Sequence, residues 1–242
     1  MSGHSKWKNI MHRKAGSDAK RAKAFTKIGR EIAVVIREGG PDPASNTRLK
    51  DAIAKAKANN VPNDNINRLI ARYSSGGDGA SYEALNYEGY GPAGIALIVE
   101  ALTDNKNRTA GDLRHYFDKY GGNLGATGCV SWQFEKKGVI IIERDGISED
   151  AALSDALDCG AADFKTHDEI FEIFMDADDF TSVREALEDK GYTFAQAEIE
   201  LVPQTYVSLS DPEQLKLMRK LLDALDDNDD VQNVWHNWDE TE

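Results

Sequence analysis

Apolar residues recur three and four positions apart from Phe25 to Ile36 and in two shorter runs before residue 75, whereas runs of alternating or continuous apolar residues dominate further on. In the first run Phe25, Ile28, Ile32, Val35 and Ile36 fall on one face of a helix. That helix is predicted from about Ser17, a good N-cap, to the Gly39-Gly40-Pro41 stop. Lys20, Lys23, Lys27 and Arg30 fall at i, i+3, i+7 and i+10. At about 100° per residue this stripe lies nearly opposite the apolar one, so one face is built to bury and the other to present charge. A second helix is predicted over 44–59, with Leu49, Ala52, Ile53 and Ala56 inward and Asn59, Asn60 and Pro62 ending it. A third covers 63–73, with Ile66, Leu69, Ile70 and Tyr73 inward. Three short helices with short connections make a small bundle. Residues 1–16, whose large apolar groups are Trp7, Ile10 and Met11, read as irregular.

Ser74 to Gly79 is a linker by composition. After it, strands are predicted over 82–87, 95–102 and 129–134, with a turn cluster at 89–94. A helix over 108–120 carries Leu113, Tyr116, Phe117 and Tyr120 on one side. A compact run follows: strand 139–143, helix 148–158, a hairpin of 163–166 with 169–175, helix 178–190 and strand 194–201. Its order is βαββαβ, the ferredoxin-like arrangement. Strand 206–209, helix 211–225 and strand 231–238 close the chain. Joined to 95–134, they spell βαββαβ a second time. The expected fold class is therefore α+β: an N-terminal three-helix bundle followed by two ferredoxin-like α/β sandwiches, one inserted in the other. The expected domains are 1–79, the split pair 80–134 and 204–242, and the insert 135–203.

Charge changes this picture most. The chain has a formal net charge of −13, yet residues 1–80 hold 16 basic against 7 acidic residues, leaving 13 against 35 in the remaining 162. Such asymmetry points to a polyanionic partner and says nothing about fold. The length of 242 residues fits one to three domains at ~100–150 residues each. No apolar run approaches the ~18–20 residues that span a bilayer, and the basic start lacks the apolar stretch of a secretory signal. Gly3, Gly16 and the polar opening weigh against a transit helix. Cys129 and Cys159 stand 30 residues apart with no CxxC, as expected of reduced thiols in a cytoplasmic protein.

The candidate chemistry is phosphate binding. Lys6, Lys8, Arg13, Lys14, Lys20, Arg21, Lys23, Lys27 and Arg30 would displace condensed counterions, and Trp7 or His4 would stack on an exposed base. The bland alternative is a soluble charged helix face. Thr103 to Thr109 joins a strand to a helix whose N-terminus suits a phosphate, with Lys106 and Arg108 adding charge; alternatively it is a turn capped by Asn107. Gly121 to Gly128 lacks a Gly-Lys-Ser/Thr ending and reads as tight turns. The five histidines have no metal spacing, and there is no HExxH, GxSxG or Walker motif. No cofactor and no catalysis are expected. Asp223, Asp226, Asp227, Asp229 and Asp230 read as a solubilising run.

Four stretches carry a resemblance over essentially the whole length. They are GHSKWKNIMHRKAGSDAKRAKAFTKIGREI (Gly3–Ile32), KAKANNVPNDNI (Lys55–Ile66), YEGYGPAGIALIVEALTDNKNRT (Tyr87–Thr109) and GGNLGATGCVSWQFEKKG (Gly121–Gly138). In these the chain resembles the YebC family of probable transcriptional regulatory proteins, whose eukaryotic relatives are mitochondrial translational activators. Cys129 stands where the family usually has Ser. The resemblance implies an N-terminal helical domain plus two α/β domains, and a DNA-binding regulator of transcription. The mitochondrial relatives imply instead a translation factor on ribosomal or transfer RNA. The Lys-rich stripe lacks an Arg/Asn/Gln set for reading base edges, which favours backbone binding to either polymer. A monomer without membrane association is expected.

Overall fold

The structure is a computed structural model that describes residue 11 and residues 18–74 and 82–240, the side chains of 18–21 excepted. Helices α1 (Asp18–Gly39), α2 (Thr47–Ala58) and α3 (Asn63–Ser74) form the bundle. Its core is Ile28, Ile32, Val35, Ile36, Leu49, Ala52, Ala56, Val61 and Ile66, the apolar faces expected from the 3.6-residue period. Helix α2 starts later than its periodicity suggests, because Asn46 caps it. The Asn46 side chain accepts from Leu49 N–H and donates to the carbonyls of Val35 and Gly40, each at 2.8 Å, stitching the end of α1 to the start of α2. Asn60, at φ 58°, turns the chain out of α2 in the left-handed conformation that Asn tolerates.

The rest of the chain forms β1 (Glu83–Tyr90), β2 (Ala96–Thr103), α4 (Lys106–Lys119), β3 (Asn123–Leu124), β4 (Phe134–Glu143), α5 (Glu149–Asp158), β5 (Asp163–Thr166), β6 (Ile170–Asp176), α6 (Phe180–Asp189), β7 (Gln196–Pro203), β8 (Val207–Ser208), α7 (Pro212–Asp227), β9 (Val231–His236) and β10 (Trp238–Asp239). Strands β4 to β7 make an antiparallel sheet ordered β5-β6-β4-β7, the ferredoxin-like order, with α5 and α6 covering Ile140, Ile142, Phe171 and Ile173. The other sheet is ordered β3-β1-β2-β9. Strand β2 pairs antiparallel with β9, Leu97 opposite His236 and Val99 opposite Val234, so segments from either side of the inserted sandwich meet in one sheet. Helices α4 and α7 close its core around Leu113, Phe117, Met218, Leu221 and Leu225.

This second sheet departs from expectation in its membership. Residues 129–134 are not a strand: Ser131–Gln133 form one 3-10 turn and Phe134 already belongs to β4. Residues 206–209 do not enter the sheet either; Val207 and Ser208 pair only with Trp238 and Asp239. Their place is taken by β1, which pairs with β2 along its whole length, from Glu83 opposite Thr103 to Tyr90 opposite Ala96. The glycines at 89 and 91 imitate a turn. Gly89 is instead a strand residue under close approach, since a Cβ there would lie 2.6 Å from the Asn123 carbonyl oxygen. The true turn follows at Pro92–Gly94, where Ala93 has φ 54°.

Candidate nucleic-acid interface

Three side chains on the charged face of α1, Lys23, Lys27 and Arg30, are engaged within the protein. They meet the turn between α7 and β9. Lys23 Nζ lies 2.6 Å from Asp227 Oδ1, and Lys27 Nζ lies 3.1 Å from Asp226 Oδ1 and 3.0 Å from its carbonyl oxygen. These two lysines sit at the C-terminal end of α7, where helix carbonyls lack intrahelical partners and the dipole is negative. The Asp227 carboxylate raises the Lys23 pKa above its ordinary value. Both acids are largely exposed, so these outer pairs are screened and weak.

One turn further along, Arg30 donates to Asp230 Oδ1 at 2.7 Å, to the Asp229 carbonyl at 2.7 Å and to the Leu102 carbonyl at 3.2 Å. Its guanidinium also lies 5.1 Å from the centre of the Tyr82 ring. Asp230 is only 4% exposed. Its other oxygen accepts from Arg108 at 2.8 Å, Thr109 at 2.7 Å and Thr103 at 3.3 Å. Burial pushes the Asp230 pKa up, but the hydrogen bonds from Arg108, Thr109 and Arg30 outweigh it and hold the carboxyl below its ordinary range. Arg108 is held charged chiefly by Asp230 and then by Asp104, also at 2.8 Å. The acidic run expected to be a solubilising surface thus supplies the seat of the N-terminal bundle through Asp226, Asp227 and Asp230.

The strand-to-helix loop is capped, though not by Asn107. Asn105 holds the extended cap conformation and its side chain accepts from Arg108 N–H at 3.1 Å. Asn105 N–H is in turn anchored at 2.9 Å on Thr103 Oγ1. Of the two cations named there, Arg108 turns to Asp230, while Lys106 is exposed and has no ion-pair partner among the described residues. Lys6, Trp7, Lys8, Arg13 and Lys14 lie outside the described residues. Lys20 and Arg21 stand in the first turn of α1.

The bundle is braced a second time on the inserted sandwich. Lys55 lies 3.3 Å from Glu31 and 3.5 Å from Glu198 of β7. Burial would lower its pKa, but those two carboxylates raise it instead. Thr181 of α6 donates to Asp51 of α2 at 2.9 Å.

Sequence reading missed a further cluster. The Glu88 carboxylate, 5% exposed, accepts from the backbone N–H groups of Gly128 at 2.8 Å, Val130 at 2.9 Å and Ser131 at 2.9 Å. Burial pushes its pKa up; those N–H groups outweigh it and bring it below the ordinary value. Cys129 is half-buried in this turn rather than in a strand, and burial raises its thiol pKa. Nothing local marks Glu88 as a clamp, since its partners are some 40 residues on. The Asp230 seat did leave a signal: an acidic run, opposite in charge to the α1 stripe, that ends directly before the last long strand. Among the described residues no group of His, Cys, Asp and Glu could hold a metal, and no helix is long and apolar enough to cross a membrane.

Comparison with known proteins bears on the whole chain. Residues 5–76 match the family model of the TACO1/YebC protein N-terminal domain, and residues 82–238 that of the TACO1/YebC second and third domain. A probable transcriptional regulatory protein of Acetivibrio thermocellus is 59% identical over 239 residues, covering 98% of this chain and 99% of that one. One of the same description from Ruminiclostridium cellulolyticum is 59% identical over 243 residues, covering 100% and 98%. The crystal structure of a conserved hypothetical protein from Aquifex aeolicus superposes with a TM-score of 0.85 at 42% identity, covering 94% of each chain.

Proposed function

The chain belongs to the TACO1/YebC family, and on that footing we propose that it is a non-enzymatic regulator of gene expression that binds DNA by the phosphate backbone through its basic N-terminal domain. The observation that carries this reading is the reversal of charge: 16 basic against 7 acidic residues up to position 80, in a chain of net −13. Lys6, Lys8, Arg13, Lys14, Lys20 and Arg21 are the phosphate-gripping set, with Trp7 stacking on a base and Lys106 as an outlying contact. Arg30 and Arg108 hold the bundle on its seat. Lys23 and Lys27 stand between the two roles, because a phosphate run reaching them must displace Asp227 and Asp226. The description its relatives carry, probable transcriptional regulatory protein, supports a regulatory role.

One observation favours ribosomal or transfer RNA as the alternative target. Helix α1 has its apolar face in the bundle core and its charged face against the α7–β9 turn. It cannot lie lengthwise in a major groove, as a recognition helix does, without first leaving its seat. The test compares gel shift on duplex DNA with co-sedimentation with ribosomes, using one preparation at physiological salt. Affinity for the bound polymer should fall steeply with salt. Replacing Lys6, Lys8, Arg13 and Lys14 by Gln should lower that slope by roughly 0.7–0.9 for each phosphate no longer engaged. A slope unchanged by these four replacements overturns the proposal.

A further inference from the structure

Trp132 is the most exposed of the large apolar side chains in the described residues, at 69%, while Trp238 of the same chain is 5% exposed. A single exposed aromatic is ordinary on a protein surface. This one is distinguished by its support. Its indole N–H already donates to the Cys129 carbonyl at 3.1 Å, and Tyr90 Oη donates to that same oxygen at 3.1 Å. The turn beneath is held by the three backbone N–H groups on Glu88, and Gly125 N–H donates to the Glu88 carbonyl at 2.8 Å. The ring is presented on a buttressed turn with its only polar group satisfied, so what it offers a partner is its π face.

Charge narrows the partner. Residues 120–134 carry no charged side chain, within a body that holds 35 acidic against 13 basic residues after position 80. Lys119 precedes this neutral stretch, and Lys136, exposed and without an ion pair among the described residues, follows it. Glu135 is neutralised by Lys137 at 2.8 Å. The Glu88 carboxylate beneath this neutral stretch is buried and met by three backbone N–H groups, so no exposed acid within residues 120–134 opposes the approach of a polyanion.

We infer that Trp132 is a stacking platform for one unpaired nucleobase, a nucleic-acid contact separate from the basic arm. The inference rests on the nucleic-acid reading above and adds a flat, sequence-tolerant contact that a rigid duplex does not satisfy. Full-length protein carrying Trp7→Phe should be titrated with a single-stranded oligoribonucleotide of mixed sequence, following indole emission. Emission should be quenched on binding, and Trp132→Ala should abolish the quench and weaken binding roughly five- to a hundredfold. Trp132→Phe should recover much of the affinity. The salt slope should stay unchanged in both, because no cation is removed. Equal melting temperatures will show that the exposed position was altered without unfolding. The inference is overturned if Trp132→Ala in the Trp7→Phe background binds like its Trp7→Phe parent, or if Trp132→Phe binds as weakly as Trp132→Ala. It is likewise overturned if Trp132→Ala loses only a protein partner while its oligonucleotide affinity holds. Failure of the arm reading is seen separately, as a salt slope unmoved by the four Gln replacements.

Discussion

Arg30 and Asp230 are 200 positions apart and meet at 2.7 Å, one on the first helix and the other directly before the last long strand. Asp230 also binds Arg108, so one buried carboxylate joins the helical bundle, the first turn of α4 and the α7–β9 turn. Removing Asp230 leaves the part-buried Arg30 with only backbone carbonyls and the buried Thr103 and Thr109 hydroxyls without their acceptor, while Arg108 is half-exposed and keeps Asp104. Asp230→Ala should cost about 1–3 kcal/mol, read as a lower first transition in calorimetry. Its stability contribution should also depend on acid. The folded pKa lies below the ordinary 3.8, so the stabilisation is complete above that value and is lost as pH falls through the lowered one. A calorimetric transition indifferent to Asp230→Ala would mean that the bundle does not rely on this seat.

The outer pairs should behave differently. Asp226→Asn with Asp227→Asn should cost less than about 1 kcal/mol per pair in stability, because both carboxylates are mostly exposed. The same double variant should bind a polyanion several-fold more tightly at low salt, since no carboxylate then competes for Lys23 and Lys27. The gain should vanish at high salt, where surface charges are screened. Weaker binding by the double variant would show that the acids position the lysines rather than compete for them.

Glu88→Gln should loosen the turn that carries Trp132. Hydrogen bonds to a charged group contribute about 1.5–3 kcal/mol, and an amide can present its N–H₂ to donors that need an acceptor. Amide hydrogen exchange at Gly128, Val130 and Ser131 should quicken markedly, while exchange in the inserted sandwich stays as it was. Protection unchanged at those three positions would contradict the clamp.

His236 sets a second pH window. Burial lowers its pKa from 6.5 to about 4, outweighing the raising effect of the Trp238 backbone, and Glu240 at 3.7 Å does not reverse this. The unfolded chain therefore takes up the proton first. Stability should decline as pH falls from about 6.5 to 4, by up to about 3 kcal/mol, and the loss at Asp230, whose pKa lies below 3.8, comes under that range. His236→Gln should flatten the decline between those two pH values in melting temperature measured across the range; an unchanged decline assigns it to other groups.

Whatever depends on near neighbours was legible in the residues alone. The three helices of the bundle, the βαββαβ order of the inserted sandwich and the opposite charge of the two parts of the chain follow from residues within a few positions of one another, because helical and extended periods are local properties. The same patterns pointed to a second sandwich assembled from both sides of the insert. Which strand completes that sheet is settled only in the folded chain. Gly89 reads locally as a turn residue and works as a strand residue only because Phe117 and Asn123 come close from elsewhere in the chain. The destination of the charges of α1 is settled there too. Periodicity places Lys23, Lys27 and Arg30 on one face, but whether that face meets water, a phosphate or Asp230 depends on how α7 ends some 200 residues later. Coulomb attraction and burial act through space, and distance in space is set by the fold rather than by separation along the chain.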